Sequence, residues 1–421
     1  MTKYFIKGGK KICGEIKIQG AKNSVLPILA ACILNYGEIT LKNCPEISDV
    51  DNTLKILELL GCKIIREKNI LIINSRNLDS SNIPENLACE MRSSIVFMGS
   101  LLSRNKKVII TKPGGCKLGD RPIDLHIDAL IKMGANIKFI ENKIICVCDK
   151  LKGCVINLKF ASVGATQNII LAACLANGMT KIINAAREPE IIDLQNFLVK
   201  MGAKVYGAGT NEIYIFGVKN LSKNFEYKIM PDRIIASSYL VASAITKGDI
   251  LINNITPAHL PLNYFLKIGC MVKIHKNKVF LQAPENIKPI DYLETDVYPG
   301  FPTDLQSQFL SLLSVANGKS IIKEKIFNER YKNIFELKKI NADIKISEDK
   351  KKFIINGVKN LKSSNNLITH DLRGGVGLVL VSLFIKGECV INDEKDFIKR
   401  GHENIVRDLN KLSADIKILD K

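Results

Sequence analysis

The chain has 421 residues, of which 46% are hydrophobic and 6% aromatic, and it contains no tryptophan. This length exceeds the usual size of one hydrophobic core, so we expect two domains. The formal net charge is +19, but the lysines are dispersed rather than clustered, which disfavours a nucleic-acid-binding protein. Two explanations of the charge remain: a general bias of the composition towards lysine, isoleucine and asparagine, or an electrostatic field that attracts a polyanionic small substrate.

Neither the N-terminus nor the apolar runs indicate a membrane protein. The longest apolar runs begin at Val25 and Val376 and are about half of the roughly 20 residues that a membrane span needs. The N-terminus lacks the apolar core of a signal peptide. The twelve cysteines form no CxxC pair, so neither a zinc site nor a disulfide framework is indicated. We therefore expect a soluble cytoplasmic protein.

One pattern recurs six times along the chain: an apolar strand, a polar loop, an amphipathic helix, and a small-residue turn that leads to another strand. In the amphipathic segment "DLHIDALIKM", for example, Leu125, Ala129, Leu130 and Met133 fall on one face. Glycine or asparagine in the turn suits the left-handed residue that ends a helix. The turns, spaced by 73, 68, 67, 72 and 72 residues, are Gly61-Cys62, Gly134-Ala135, Gly202-Ala203, Gly269-Cys270, Asn341-Ala342 and Ser413-Ala414.

A second type of helix alternates with the first and is apolar nearly all round, as buried helices are. Its six segments are "NSVLPILAACILN", "RSSIVFMGSLLSRN", "SVGATQNIILAACLANG", "DRIIASSYLVASAITKG", "TDLQSQFLSLLSVANG" and "DLRGGVGLVLVSLFIKG". Six copies, each with strands, a surface helix and a buried helix, predict an α/β fold of two domains with three repeated units each. We expect the linkers near Gly20 to Ala21 and near Ile229 to Met230.

Polar residues gather where the buried helices begin. Helix N-termini offer free N–H groups and a positive dipole end, so they hold anions readily. Helix capping is an equally good explanation for serine, threonine and aspartate, whereas arginine fits it less well because a desolvated charge needs a partner. The residues are Lys22 and Asn23; Arg92 and Ser93; Ser162, Val163 and Gly164; Asp232 and Arg233; Thr303 and Asp304; Asp371 and Arg373.

The polar loops before the surface helices supply a second set: Cys116 and Arg121 in "GGCKLGDRPIDLHI", Arg187, Arg330 and Arg400. A single loop arginine is usually a solvated charge, but arginines at corresponding places in different repeats can converge on one cleft that binds phosphate or carboxylate. Gly114 and Gly115 would let the loop move. Its basic residues, Lys112, Lys117 and Arg121, would favour a nucleophilic thiolate at Cys116 over an incidental loop thiol.

The motifs "GAKNSVLP", "MRSS", "PGGCKLGDRPIDLHI", "SVGAT", "NAAREPEIID", "PDRI", "FPTDLQSQ", "DLR" and "RGHENI" resemble, in order and along nearly the whole chain, those of the UDP-N-acetylglucosamine 1-carboxyvinyltransferases, a family of enolpyruvyl transferases. The resemblance implies two inside-out α/β barrel domains with buried helices and outer sheets. Residues 22–229 would carry the Cys116 loop, and residues 1–21 with 230–421 would carry the general base.

The reaction implied by this resemblance moves the enolpyruvyl group of phosphoenolpyruvate onto the 3-hydroxyl of UDP-N-acetylglucosamine and releases phosphate, which begins peptidoglycan synthesis. It proceeds by addition and elimination through a tetrahedral ketal, so it needs a proton donor, a base and cations. The implied partners are these two substrates, without a cofactor, a metal, nucleic acid or a membrane.

The resemblance also assigns roles. Cys116 matches the general acid that can form an adduct with phosphoenolpyruvate and is the target of fosfomycin, and Asp304 matches the base. Lys22, Arg121 and Arg400 match the cations around phosphoenolpyruvate, and Arg92 matches an arginine recruited on domain closure. The other matches are Asn23, Ile326 and Arg330 near the sugar and the closed cleft; Pro122, Ile123, Asp124 and Leu125 under the uracil; Ser162, Val163 and Gly164 on the diphosphate; and Asp371 and Arg373 in the "DLR" motif.

The chain departs from the family pattern at four places. Phe160 stands where relatives often carry a lysine before the diphosphate-binding serine, Ile235 replaces an acidic residue, "NER" replaces "ENR", and "DLRGG" replaces "DLRAS". We expect an active enzyme with altered nucleotide affinity. Two alternatives stay open: a shikimate-3-phosphate enolpyruvyl transferase, and a nucleic-acid-binding or phosphate-cyclase-like protein built from similar α/β units.

Overall fold

A computed structural model describes residues 2–114, 118–119 and 122–419. Within these ranges, none of the helices combines the length and apolar character that a membrane crossing requires. Every cysteine in the described ranges is a free thiol. The same ranges contain no group of three or more histidine, cysteine or acidic side chains arranged to hold a metal ion.

The described residues form 24 strands and 13 α-helices. The strands are β1 (Thr2–Lys7), β2 (Gly14–Lys17), β3 (Glu38–Lys42), β4 (Lys63–Glu67), β5 (Ile70–Asn74), β6 (Asn82–Ile83), β7 (Lys107–Thr111), β8 (Asn136–Ile140), β9 (Lys143–Val147), β10 (Val155–Asn157), β11 (Met179–Ile183), β12 (Lys204–Tyr206), β13 (Glu212–Phe216), β14 (Phe225–Lys228), β15 (Asp249–Asn253), β16 (Met271–His275), β17 (Lys278–Gln282), β18 (Leu293–Glu294), β19 (Lys319–Lys323), β20 (Asp343–Ile346), β21 (Lys352–Asn356), β22 (Leu367–Ile368), β23 (Glu388–Asp393) and β24 (Ile416–Leu419).

The helices are of two kinds, as the sequence predicts. They are α1 (Lys22–Cys32), α2 (Ser48–Leu59), α3 (Glu85–Ala88), α4 (Phe97–Asn105), α5 (Asp124–Lys132), α6 (Val163–Ala173), α7 (Pro189–Met201), α8 (Arg233–Ile245), α9 (Leu262–Lys267), α10 (Gln306–Leu313), α11 (Asn333–Lys339), α12 (Leu372–Phe384) and α13 (Ile405–Lys411). Short 3-10 helices cover Arg92–Val96, Pro257–His259, Thr303–Leu305 and Ile398–Arg400. Two of the predicted buried helices therefore begin with a tighter 3-10 turn, a common form for a helix N-terminus.

The chain divides into two compact units. Unit 1 comprises Met1–Gln19, Lys117–Asp120 and Pro231–Lys421, and unit 2 comprises Gly20–Cys116 and Arg121–Met230. Each unit has its own hydrophobic core.

Unit 1 contains three four-stranded sheets within its described residues, in the strand orders β22-β23-β1-β24, β16-β17-β15-β2 and β18-β19-β21-β20. Each sheet pairs one short strand parallel to a longer one and continues with antiparallel strands. Helices α8, α10 and α12 pack against one another. Every residue of α8 and α10 is buried, as is nearly all of α12. The apolar helices thus form the centre of the unit.

Unit 2 repeats this arrangement with sheets β14-β3-β5-β4, β6-β7-β9-β8 and β10-β11-β13-β12 among its described residues. Helices α1, α4 and α6 are its buried helices, and α4 packs on both α1 and α6. The edge strands expose one or both faces; four of the five residues of β8, for example, are exposed. Buried helices surrounded by outer sheets confirm the predicted inside-out α/β fold.

The six predicted turns have one common geometry. Their first residues, Gly61, Gly134, Gly202, Gly269, Asn341 and Ser413, have φ of 100°, 98°, 111°, 99°, 67° and 71°. In each turn the N–H of the next residue donates to the carbonyl five positions earlier, as Cys62 does to Leu57 at 2.9 Å and Ala414 to Leu409 at 3.0 Å. This is the hydrogen bond of a Schellman motif, which ends the surface helix and directs the chain into the next strand.

Candidate active site

Asp304 lies between two buried arginines in unit 1. Its Oδ1 accepts a hydrogen bond from Arg330 Nη1 at 3.1 Å, and its Oδ2 accepts one from Arg373 Nη2 at 2.9 Å. Both arginine side chains are 4% exposed, whereas the carboxylate is 24% exposed. Three residues that are far apart in sequence, at the starts of two buried helices and in one loop, therefore form a single charged cluster.

The electrostatics of this cluster keep Asp304 ionised. Burial by itself would raise the pKa of the carboxyl, but the charges of Arg373 and Arg330 and their hydrogen bonds outweigh it and hold the pKa far below its usual range. Arg373 Nη1 and Arg330 Nε are buried and have no hydrogen-bond partner among the described residues. The two arginines therefore have hydrogen-bonding capacity that the described contacts do not use.

Glu324 supports the same cluster and was not singled out from the sequence. It is 1% exposed and accepts hydrogen bonds from the Thr303 and Thr295 hydroxyls, each at 2.9 Å. Thr303 in turn accepts one from Arg330 Nη1 at 2.9 Å. Thr303 therefore does not cap its helix; its hydroxyl joins Glu324 to Arg330.

The other two buried helices of unit 1, α8 and α12, have a side-chain cap at their start. Asp371 Oδ1 accepts the N–H groups of Arg373 and Gly374 at 2.9 and 3.0 Å, so this aspartate fixes the start of α12. Asp232 caps α8 in the same way. In the "DLR" motif, then, Asp371 holds the backbone while Arg373 makes the ion pair with Asp304.

Arg400 ends the short helix Ile398–Arg400 in unit 1, and the loop that follows it is held by Gln19. Gln19 Nε2 donates to the Gly401 carbonyl at 3.1 Å, and its Oε1 accepts the Glu403 N–H at 3.1 Å. The amide of one side chain thus fixes the backbone on both sides of His402, which is itself buried. Ile326, by contrast, is 39% exposed, and its N–H donates to Glu324 at 2.9 Å.

In unit 2, Lys22 begins α1 and forms an ion pair with Asp49 of α2 at 2.8 Å. The two side chains are 12% and 4% exposed, so the pair is largely desolvated. Asn23 lies in the same first helical turn. Asp49 was not identified from the sequence because an acidic residue in the first turn of a surface helix is common.

Arg92 and the segment Pro122 to Leu125 meet in unit 2. Arg92 Nη2 donates to the Pro122 carbonyl at 3.0 Å, and α5 begins two residues later at Asp124. His126 follows in the first turn of α5 and is 5% exposed. Asn168 Nδ2 donates to His126 Nδ1 at 3.0 Å, which places the ring proton on Nε2. Burial, followed by the charge of Arg92, lowers the pKa of His126 to about 4, so the ring is neutral at pH 7.

Ser162 caps α6 by accepting the Ala165 N–H at 3.3 Å. Val163 and Gly164 occupy the first turn, where amide groups lack intrahelical acceptors. A Cβ on Gly164 would lie 3.4 Å from His126 Nε2, so the neutral histidine packs beside this helix start. Phe160, which replaces the family lysine, is 56% exposed, and Lys159 beside it is also exposed.

Cys116 and Arg121 lie outside the described residues, so their predicted roles stay predictions. The preceding Gly114 packs against the 88–89 turn, and a Cβ there would lie 1.9 Å from the Cys89 carbonyl oxygen. Gly114 is therefore needed for close approach of two backbone segments. Leu118 and Gly119 are grouped with unit 1, where the Leu118 carbonyl accepts the Glu329 N–H at 3.3 Å.

Each unit thus gathers a separate set of predicted site residues. Unit 1 brings Asp304, Arg330 and Arg373 into direct contact, with Asp371 at the same helix start. Unit 2 joins Arg92 to Pro122 and places Gly164 beside the helix that begins at Asp124. The first set offers an ionised carboxylate and guanidinium groups, and the second offers a helix N-terminus, a lysine and a neutral histidine. Each set by itself contains groups that suit anionic, phosphorylated substrates, and the carboxylate of the first set suits proton transfer.

Comparisons with known proteins agree with this chemistry. The family model described as EPSP synthase (3-phosphoshikimate 1-carboxyvinyltransferase) matches residues 6–409. UDP-N-acetylglucosamine 1-carboxyvinyltransferase 2 of Caldanaerobacter subterraneus subsp. tengcongensis is 46% identical over 418 residues, covering 99% of both chains. UDP-N-acetylglucosamine 1-carboxyvinyltransferase of Endomicrobium trichonymphae is 42% identical over 423 residues, covering 100% of both. The crystal structure of the enolpyruvyl transferase NikO from Streptomyces tendae superimposes with a TM-score of 0.89 at 19% identity, covering 99% of both chains.

Proposed function

This chain belongs to the UDP-N-acetylglucosamine 1-carboxyvinyltransferases within the EPSP synthase family, and we propose that it transfers the enolpyruvyl group of phosphoenolpyruvate to the 3-hydroxyl of UDP-N-acetylglucosamine, releasing phosphate. The observation that carries this proposal is the relationship over nearly the whole chain to enzymes of that name, at 42–46% identity. The product is the first committed intermediate of peptidoglycan synthesis. We propose that the protein acts in the cytoplasm.

We propose that Asp304 takes the proton from the sugar hydroxyl as the new C–O bond forms, and that Cys116 supplies a proton to C3 of phosphoenolpyruvate. Elimination then expels phosphate and restores the double bond. Lys22, Arg121 and Arg400 would neutralise the phosphate and carboxylate of phosphoenolpyruvate. The assignments for Cys116 and Arg121 rest on the motif match alone.

The ion pairs of Asp304 bear on this role because a carboxylate with a strongly lowered pKa is a weak base. We propose that its basicity rises when anionic groups of the bound substrates compete for Arg330 and Arg373. The 24% exposure of the Asp304 side chain supports this idea, since it is the part of the cluster that is open to solvent.

We propose that unit 2 supplies the nucleotide contacts. Pro122, Ile123, Asp124 and Leu125 would lie under the uracil, and the amide groups at Ser162, Val163 and Gly164 would hold the diphosphate, as helix N-termini do. Asn23 would lie near the sugar, and Arg92 would be the arginine that is recruited on domain closure. We keep the predicted domain division, 22–229 against 1–21 with 230–421, as part of this proposal.

The test is phosphate release from phosphoenolpyruvate by the full chain. UDP-N-acetylglucosamine should support release, whereas shikimate 3-phosphate, the substrate of the related branch of the family, should not. A third measurement, of RNA binding at rising salt, tests the nucleic-acid-binding alternative, and we expect no specific complex. Absence of release with the nucleotide sugar would refute the proposed function, and release with shikimate 3-phosphate would support the alternative.

A further inference from the structure

One position is equivalent in all six repeats. It is the sixth residue counted from the start of the strand that pairs in parallel with the short strand of each sheet, and we call it the post-strand position; it follows the strand in five repeats and is the last residue of β23 in the sixth. The strand registers fix the equivalence, since Lys323 pairs with Glu294 and Asn392 with Ile368, which aligns Glu324 with Thr295 and Asp393 with Thr369. The six residues are Asn43, Lys112, Asn184, Asn254, Glu324 and Asp393.

Three repeats place asparagine at the post-strand position and use it in the same way. Asn43, Asn184 and Asn254 have φ of 61°, 59° and 57°, and each side-chain amide donates to the carbonyl of the residue that follows the neighbouring parallel strand, at 2.9–3.0 Å. Asparagine tolerates this left-handed backbone and supplies the donor. These residues join two strands and leave the following loop to other contacts.

The second and third repeats of unit 1 have a buried acid instead. Glu324 is 1% exposed and Asp393 is 0% exposed, and neither has a positive φ. A carboxylate accepts hydrogen bonds and cannot donate to a carbonyl, so its neighbour must be a donor. That neighbour is a threonine hydroxyl in both repeats, Thr295 at 2.9 Å and Thr369 at 2.7 Å.

Both carboxylates then hold the loop that follows them. Glu324 accepts the N–H groups of Ile326 and Phe327 at 2.9 and 3.1 Å. Asp393 accepts those of Phe397 and Ile398 at 2.8 and 2.9 Å. A buried carboxylate that accepts several hydrogen bonds fixes its donors strongly, because each lost bond would leave a desolvated charge.

The two loops held in this way end in Arg330 and Arg400, whereas the post-strand residue Asn254 of the same unit precedes a loop without any predicted site residue. We propose that Glu324 and Asp393 are positioning residues, each of which fixes the loop that presents one arginine to the substrates. The roles of the two arginines rest on the proposed function. The inference that the two carboxylates fix these loops rests on the hydrogen bonds alone.

The two residues should affect different parts of the reaction. Glu324 reaches Arg330 and Asp304 through Thr303, so its loss should lower kcat and displace the acidic limb of the pH profile. Asp393 acts on the segment that bears Arg400, so its loss should raise the KM for phosphoenolpyruvate. Each effect should be about tenfold to a hundredfold, the usual range for a charge-assisted hydrogen bond.

The experiment compares Glu324→Gln and Asp393→Asn with Asp349→Asn in the full chain. Asp349 is a matched control because it also accepts a backbone N–H, that of Lys351, in a turn of unit 1 without an arginine role. Hydrogen exchange without substrates should show lost protection at residues 326–327 in the first variant and at 397–398 in the second. Steady-state kinetics should show the kcat and KM effects in the first two variants and wild-type values in the third.

Threonine variants keep the test decisive if the acid variants fold poorly. Thr369→Val removes one donor to Asp393 and should raise the KM for phosphoenolpyruvate, and Thr369→Ser, which keeps the hydroxyl, should restore it. Unchanged exchange at both segments, or equal losses in kcat and KM for both substrates, would overturn the proposal. Failure of the proposed function would be visible separately, because the wild type would then release no phosphate while the exchange result would stand.

Discussion

Replacing Asp304 by asparagine should destabilise unit 1 as well as slow the reaction. Asparagine keeps the shape of the side chain and one oxygen, but it removes the charge shared by Arg330 and Arg373, each of which is 4% exposed. The two guanidinium groups would then repel each other across a neutral side chain. Turnover should fall by roughly 10²-fold or more as for loss of a general base, with substrate binding largely retained.

The size of the stability change follows from the burial of the pair. Removing one partner of a buried ion pair costs 3–5 kcal/mol, and because the carboxylate keeps 24% of its exposure we expect about 3 kcal/mol, the lower end. The pKa of Asp304 is lowered in the folded state, so the contribution is fully present above the unfolded pKa of about 4 and is lost as pH falls below it. The difference between wild type and variant should therefore be constant from pH 5 to 8 and shrink by about 1.4 kcal/mol per pH unit below pH 4.

Urea unfolding followed by far-ultraviolet circular dichroism measures this difference, since the chain has no tryptophan for fluorescence. The matched control is Asp296→Asn, which breaks a more exposed pair with Lys325 in the same unit and should change stability much less. Equal midpoints for Asp304→Asn and the wild type at pH 7 would refute the ion-paired arrangement. A wild-type rate in that variant would refute Asp304 as the base.

Three further predictions concern single residues. Cys116→Ser should abolish covalent labelling by fosfomycin and impair turnover, which mass spectrometry and phosphate release would detect; labelling of the variant at the wild-type level would exclude Cys116 as the nucleophile. His126 has a folded pKa of about 4 against about 6.5 unfolded, so stability should decline as pH falls through this interval, by at most roughly 3 kcal/mol, and His126→Gln should remove the decline in urea titrations. Ser413→Gly should raise the free energy of unfolding by about 0.5–1 kcal/mol, because Ser413 has φ of 71° in a turn where four of the other five repeats use glycine and glycine adopts this angle without strain; a loss of stability would contradict the turn geometry.

The fold was predictable because its signals are local and repeated. Six apolar segments could only be buried helices, and six small-residue turns at nearly equal spacing marked the ends of the surface helices. Ser413 was the least obvious of these turns, and its φ shows that the repeat, rather than the residue type, carried the signal. The capping by Ser162 and Asp371 followed equally well from helix chemistry.

The supporting residues of the site were not predictable in the same way. Glu324 stands between two lysines in "IIKEKIF", a context typical of a solvated acid, and only the packing of the neighbouring strand and loop buries it. Asp49 could not be predicted for the same reason, since an acidic residue in the first turn of a surface helix is usually solvated. The close packing of Gly114 on Cys89 was not predicted either, because it depends on a residue that is distant in sequence, while the predicted movement of the loop stays a prediction.

Strand β1 is synthesised long before the two strands with which it pairs. Residues 2–7 leave the ribosome before unit 2 does, but their two neighbours in the sheet, β23 and β24, emerge only after the whole of unit 2. Unit 2, contained between residues 20 and 230, has all of its strands long before then. Until β23 and β24 have emerged, the nascent chain therefore carries an unpaired strand with Tyr4 and Ile6 uncovered, the kind of edge that invites aggregation and chaperone binding.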